Sequence, residues 1–333
     1  MTRLVQIEKG DLRRVALVEE PHLRLLGNCD SVYELANVGI DSGIKLSSAA
    51  GKNATSELLD YEPIYNGHSE WHLLPPVDHP REAANCLISG TGLTHLGSAS
   101  NRQAMHAAAE EQLTDSMRMF RGGMEGGRPA TGEIGTPPEW FYKGNGTILR
   151  AHGAPLDIPC YGEDGGEEAE VAGVYLIGSD GHPRRLGMAC GNEFSDHQFE
   201  KKNYLNLAGS KLRTSALGPE LVVDPEFEDV PVEVKIERAG KALWSKEFRT
   251  GETAMCHSLQ NMEHHHFKFD IHRRPGDIHV HYFGTAYLSF SDGIRLQEGD
   301  VMQVAMEGFG RPLRNPVRMA RSEPKLIAVI PLR

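Results

Sequence analysis

From residue 168 onward the chain consists largely of short apolar segments rich in β-branched and aromatic residues, separated by glycine, proline and acidic turns: 171–178, 186–192, 217–223, 230–236, 278–290, 301–309 and 325–332. Segments of that length and content read as strands, and so many in succession restrict this part of the chain to a sheet architecture. Only 256–269 interrupts them with a helical pattern. Upstream, 14–18 and 86–92 read as strands, the latter running into a glycine turn, whereas 31–37 and 56–59 carry helical patterns. An alanine-rich helix is expected from Ser98 through Met105, Ala108 and Glu111. The class is α+β, mainly β, with no repeat of fixed period.

The stretch Leu73-Leu74-Pro75-Pro76-Val77-Asp78-His79-Pro80 cannot be helical, because each proline restricts the residue before it. It marks a boundary between a small N-terminal lobe, 1–75, and a larger domain, 76–333; 333 residues suffice for both. Within the larger domain, 121–138 is rich in glycine and proline. Together with the alanine-rich helix it predicts a lid over a site, spanning about 98–138.

Charge and composition exclude several classes of function. Lys and Arg total 35 against 46 Asp and Glu, a net charge of −11, and no basic face offers itself to nucleic acid. No apolar run reaches the roughly 18 residues a membrane span needs. The opening Met1-Thr2-Arg3-Leu4-Val5-Gln6 lacks the apolar core of an export signal, which reads as cytoplasmic. Five scattered cysteines without C-x-x-C spacing read as reduced core thiols. An acidic chain with 36 glycines and 16 histidines fits a loop-rich enzyme that uses a hard cation.

Glu167-Glu168-Ala169-Glu170-Val171 opens the first of the late strands. Residues two apart share one face of a strand, so Glu168 and Glu170 bring their carboxylates together, which is unfavourable unless a cation lies between them. A solvated acidic turn is the alternative. One strand later comes Gly191-Asn192-Glu193-Phe194-Ser195-Asp196-His197, a dense polar group at the end of an apolar strand. Glu193 would complete a three-carboxylate site suited to Mg²⁺ or Mn²⁺. Lys211, further on, offers an ammonium to a substrate oxygen.

In that order, the Glu-x-Glu leading into 171–178, Asn192-Glu193-Phe194-Ser195, a lysine before Leu217-Gly218-Pro219, Tyr282-Phe283-Gly284-Thr285 and Glu298-Gly299-Asp300-Val301 resemble the fumarylacetoacetate hydrolase superfamily, over roughly residues 73–320. Asn203-Tyr204-Leu205-Asn206-Leu207-Ala208-Gly209-Ser210-Lys211 looks most like its branch that dehydrates 2-keto-3-deoxy sugar acids. The resemblance implies a mixed β-roll catalytic domain with a small N-terminal lobe, assembled as a homodimer or higher homo-oligomer. It also implies Glu168, Glu170 and Glu193 as ligands of Mg²⁺ or Mn²⁺, Lys211 as a catalytic lysine beside the metal, and Thr285 in the substrate turn. Glu200, Tyr204 and Lys143 fall where the family places substrate-contacting side chains.

The implied activity is dehydration of a 2-keto-3-deoxypentonate to 2,5-dioxopentanoate, with a small 2-keto acid as the only partner besides a second copy. His95 and the lid carboxylate Glu110 are the candidate bases. Two departures from the family pattern matter. The third ligand is usually aspartate, so Asp196 is an alternative to Glu193. Hydrolytic members carry a histidine followed three residues later by glutamate, and here His95 is followed by Ser98, which favours dehydration over hydrolysis of a 2,4-diketo acid. A keto-acid-binding protein without catalysis is a further reading. His264-His265-His266 is poorly spaced for one ion, whereas His279 and His281 share a strand face as in a histidine-metal site.

Overall fold

A computed structural model describes residues 1–96 and 114–332. The alanine-rich helix expected from Ser98, with Glu110, lies outside the described residues. Eighteen strands are present among those described. They are β1 (Thr2–Lys9), β2 (Leu12–Glu19), β3 (His22–Leu26), β4 (Ala54–Asp60), β5 (His72–Leu73), β6 (Cys86–Gly92), β7 (Glu139–Asn145), β8 (Leu149–Arg150), β9 (Leu156–Ile158), β10 (Ala169–Ile177), β11 (Pro183–Asn192), β12 (Ser215–Leu217), β13 (Leu221–Val223), β14 (Val230–Arg238), β15 (Lys241–Thr250), β16 (Ile278–Tyr282), β17 (Val301–Met306) and β18 (Leu313–Met319).

A mixed 13-stranded sheet runs in the order β4-β3-β2-β1-β13-β11-β10-β16-β6-β7, with the short β5, β8 and β12 attached. A five-stranded sheet runs β15-β14-β17-β18-β9. The N-terminal meander β1–β4 joins the larger sheet through the β1–β13 pair, so hydrogen bonding is continuous across the proline-rich stretch.

Strand β10 is buried along its whole length, as expected of an apolar run with both faces covered. On one face, Val171, Met188 and Val222 meet Val232, Val234, Met302 and Val304 of the smaller sheet. On the other, Ala172, Val174 and Leu176 pack in one cluster with Val32, Leu35 and Ala49 of the helices Val32–Asp41 and Leu46–Asn53. The first of these helices starts where the Ser31 hydroxyl accepts the Glu34 N–H, a side-chain cap that satisfies an otherwise free donor.

Several elements differ from the sequence reading. Residues 56–59 are strand rather than helix, because Leu58 and Leu59 pair with Arg24 and Leu23 and sheet pairing outweighs local preference. The hairpin strand β15 carries so many charges that no strand pattern stands out. Strand β16 stops at Tyr282, since Gly284 turns with φ +91°. The stretch 217–223 is broken at Gly218-Pro219 into β12 and β13. Residues 325–332 form no strand or helix and pair with no strand among the described residues.

Candidate active site

Antiparallel pairing of β10 with β11 sets Ala169 opposite Asn192, and the Glu193 N–H continues the ladder to the Glu168 carbonyl at 2.9 Å. Glu168 and Glu170, two apart, therefore project on one side of the sheet end, and Glu193 meets them from the neighbouring strand. Oxygens of the three carboxylates lie within 4.8 Å of one another, and all three residues are buried. Phe194, immediately after Glu193, holds φ +40°, an unusual backbone angle of the kind that collects at functional sites.

Two lysines face three carboxylates. Lys211 Nζ donates to Glu168 Oε1 and Oε2 at 2.7 and 2.9 Å and to Glu193 Oε2 at 2.6 Å. Lys143 Nζ lies 2.6 Å from Glu193 Oε1 and donates to the backbone carbonyls of Phe194 and Lys211. Lys143 is fully buried behind Glu193 and does not line the cavity, so it cannot be the substrate-contacting lysine; it holds Glu193 and the lysine-bearing loop in place. Burial draws its ammonium down to about 8 against the pull of Glu193. His197 Nε2 meets Glu168 Oε1 at 2.8 Å.

The three carboxyls respond differently to this setting. Burial, then the charges of Glu193 and Glu168, push Glu170 well above the carboxylate range. Burial and Glu168 raise Glu193 to about 7. Burial opposes ionisation of Glu168 too, but Lys211 and His197 hold it well below its ordinary value.

These residues fit a hard divalent cation. Glu170 uses Oε2 to accept the Gly284 N–H at 2.6 Å, and both oxygens of buried Glu193 face lysine ammonium groups, Oε1 that of Lys143 and Oε2 that of Lys211. Oxygen donors are thus held ready at a spacing a small cation bridges, and Mg²⁺ or Mn²⁺ would be held by Glu168, Glu170 and Glu193. Asp196 is committed elsewhere: it accepts from Arg213 at 2.9 Å, from the Glu163 N–H, and from the Phe199 N–H as helix cap. Among the described residues this is the only metal-ready cluster. His281 sits between Ser89 and Thr91, and His266 between Trp140 and His279.

A cavity of about 560 Å³ opens over Glu168 and Glu170, lined also by His95, Glu139, Phe141, His197, Glu200, Lys211 and Thr285. Thr285 Oγ1 donates to the Tyr287 carbonyl at 3.3 Å. The Tyr204 hydroxyl reaches Glu139 rather than open space, and Glu200 accepts from Ser210 at 3.4 Å. His95 is buried, with Nδ1 2.9 Å from Thr94 Oγ1 and Nε2 2.8 Å from Thr250 Oγ1, and burial draws it down to about 4. Among the described residues no carboxylate partners it.

Sequence reasoning passed over Glu139. It opens β7 opposite Gly92 of β6, and a Cβ at Gly92 would fall 1.8 Å from its Oε2, so the glycine makes room for the carboxyl. Burial pushes Glu139 up to about 7, reinforced by Glu200, Glu168 and Glu193 and opposed by Lys211. The one available signal was a carboxylate following Pro137-Pro138 at the head of a strand otherwise apolar enough to be interior.

No protein-family model and no curated protein matches the sequence. Solved structures do. The apo form of 2-keto-3-deoxy-D-arabinonate dehydratase aligns with a TM-score of 0.71 at 18% identity, over 96% of this chain and 100% of that one. The same enzyme complexed with magnesium and 2,5-dioxopentanoate gives 0.71 at 17% identity over the same shares. A 2-hydroxyhepta-2,4-diene-1,7-dioate isomerase from Mycobacterium marinum gives 0.59 at 17% identity, over 97% and 100%. The mainly β, α+β fold of this chain is shared nearly end to end with 2-keto-3-deoxy-D-arabinonate dehydratase, in keeping with the resemblance to the fumarylacetoacetate hydrolase superfamily.

Proposed function

We propose that the chain is a divalent-metal-dependent lyase that removes water from a 2-keto-3-deoxy sugar acid, with a 2-keto-3-deoxypentonate giving 2,5-dioxopentanoate. The observation that carries the reading is the buried triad Glu168, Glu170 and Glu193, two of whose members, Glu168 and Glu170, line a cavity that also holds a carboxyl near pKa 7, Glu139. The magnesium and 2,5-dioxopentanoate bound by a protein of the same fold support the choice of cation and product.

A bound Mg²⁺ or Mn²⁺ would act as a Lewis acid towards the C1 carboxylate and C2 keto oxygen, which makes the C3 proton acidic. The chain's own residues supply the rest. Lys211, charged and buried beside the triad, lowers the cost of negative charge developing on substrate oxygen. Glu139, poised between its two protonation states at neutral pH, takes the proton from C3 or returns it to the departing C4 hydroxyl. The product of elimination tautomerises to the dioxo acid. Thr285 orients the carboxylate, while Tyr204 and Glu200 face the sugar hydroxyls.

Glu139 thereby takes the role expected of His95 or Glu110. Both ring nitrogens of His95 are engaged by threonines, and its low pKa makes it a weak base. Ser98, standing three residues after His95 where hydrolytic members carry glutamate, also favours dehydration over hydrolysis of a 2,4-diketo acid, which needs an activated water. The enzyme so described works on a free small acid in the cytoplasm. Among the described residues no helix is long and apolar enough to cross a membrane.

The test is to strip the protein with a chelator, restore Mg²⁺ or Mn²⁺, and follow 2-keto-3-deoxypentonates and 2,4-diketo acids by product mass. Loss of one water from the deoxypentonate supports the lyase. Splitting of the diketo acid replaces it with the hydrolase, and binding of either without turnover leaves a non-catalytic keto-acid-binding protein.

A further inference from the structure

The cavity over the triad has a far end that the proposed chemistry does not use. From Gly284, whose N–H holds Glu170, one wall runs through Thr285 and Ala286 to Tyr287, with Ser291 and Asp292 beyond. From Gly284 to Tyr287 the chain spans at most about 10 Å, a length of the same order as an extended six-carbon acid. An ammonium group stands at this end. Lys246 of β15 lines the cavity there, with Nζ 4.9 Å from the centre of the Tyr287 ring.

Sheet register puts the lysine there. Lys246 pairs with Val234 of β14, between Trp244 opposite Ile236 and Phe248 opposite Val232. Residues opposite one another share a face, and Val232, Val234 and Ile236 are buried in the core. Lys246 is therefore on the inward face of β15, half-buried, while its neighbours Ser245 and Glu247 are exposed. A lysine on such a face is unfavourable unless its ammonium reaches water or a partner. Among the described residues its one contact of this kind is the Tyr287 ring, and no carboxylate pairs with it. The other lysine of the lining, Lys211, is taken up by Glu168 and Glu193.

Asp292 lines the same end, its Oδ2 accepting the Trp244 Nε1–H at 2.9 Å. Its charge offsets part of the field of Lys246, so this end suits the single charge of a carboxylate better than the nearly double charge of a phosphate. We propose that Lys246 binds a carboxylate at the far end of the substrate, which makes the preferred substrate a sugar acid with a carboxylate at each end, 2-keto-3-deoxyhexarate. This rests on the reading of the chain as a dehydratase of keto-deoxy sugar acids and adds which of them it takes best. A C3 proton and the C4 hydroxyl leave as one water, giving a C3–C4 double bond. That bond shifts to C4–C5 as the C5 proton moves to C3, and the resulting enol becomes the C5 ketone of 2,5-dioxohexanedioate.

The test is kcat/KM of the full chain with restored Mg²⁺, wild type and Lys246→Met, on 2-keto-3-deoxyhexarate, 2-keto-3-deoxyhexonate and 2-keto-3-deoxy-6-phosphohexonate. Methionine keeps the unbranched stem between Trp244 and Phe248 and loses the charge. Wild type should favour the hexarate over the hexonate by about tenfold, chiefly through KM, and Lys246→Met should bring the ratio to about one. A defect in folding would lower both rates and leave the ratio standing. Equal use of the two acids by wild type, or a preference that survives Lys246→Met, overturns the proposal; better use of the phosphate ester overturns the choice of a carboxylate. Turnover of none of the three refutes the dehydratase reading instead. The anion site is then decided by calorimetry of 2-oxoadipate against 2-oxohexanoate: tighter binding of the diacid that is lost in Lys246→Met supports it, and equal binding overturns it.

Discussion

At the scale of single residues the site is a problem in charge. Three buried carboxylates crowd one another beside two ammonium groups, and burial together with the neighbouring carboxylates keeps Glu170 and Glu193 raised in the absence of a further cation. A divalent cation added to chelator-treated protein should therefore stabilise it, by about 2.7 kcal/mol at one hundred times its dissociation constant. Glu170→Gln should remove most of that stabilisation in a thermal melt. Glu139 makes a separate prediction: Glu139→Gln keeps the shape and loses the transferable proton, so kcat should fall by about 10²–10⁴ while ligand binding persists. Gly92→Ala should produce a comparable loss, because the added methyl would meet the buried Glu139 carboxyl and displace it. The Glu168 and Glu170 pair was legible because strand periodicity is local. Glu193 was legible as a polar end to an apolar strand. Glu139 was not, since what gives it meaning is Gly92 on the facing strand, and pairing between distant strands leaves no mark on either one alone.

Strands and helices carry their own tests. Leu176 lies in β10, fully buried between layers, and Leu176→Ala should cost about 2–5 kcal/mol in denaturant unfolding. Strand β16 and the helix Leu259–Phe267 enclose a histidine cluster: Trp140 Nε1 donates to His266 Nδ1 at 3.1 Å, which leaves the proton of neutral His266 on Nε2 to be donated to His279 Nδ1 at 3.0 Å. Burial draws His279 and His281 down to about 3 and His266 well below its ordinary range. All three are neutral in the fold, whereas in the unfolded chain they protonate near pH 6.5. Stability from this cluster is therefore complete above pH 6.5 and falls as pH drops towards 3, at up to about 1.4 kcal/mol per pH unit for each histidine. Urea unfolding at pH 7.5 and pH 5 should show that loss, and His281→Gln should make it shallower; an unchanged slope would refute the assignment. These contacts were hidden in sequence, where three adjacent histidines suggested only a poor metal site. Element types were legible where a pattern was long and uniform, as in β10 and β11, and failed where pairing overrode it, as at Leu58 and Leu59 or in the charged β15.

Across the whole molecule, the arrangement explains why the site lies where it does. Stacking the two sheets buries β10 and β11 and brings the start of β10, with Glu168 and Glu170, to the floor of the cavity with Glu193 packed beneath them, while the turn at Gly284 supplies the wall. The class of fold could be read from the succession of strands, but not the continuity of the N-terminal meander with the main sheet, which depends on the β1–β13 pair formed across more than half the chain. The central claim is that this carboxylate floor holds a divalent cation and that the cavity above it dehydrates a keto-deoxy sugar acid. The most direct measurement is the mass of the product formed from 2-keto-3-deoxypentonate by chelator-treated protein, with and without restored Mn²⁺, beside Glu170→Gln. The account predicts loss of one water only when the cation is restored, and none in the variant. Turnover that persists without the cation, or that survives Glu170→Gln undiminished, would contradict it.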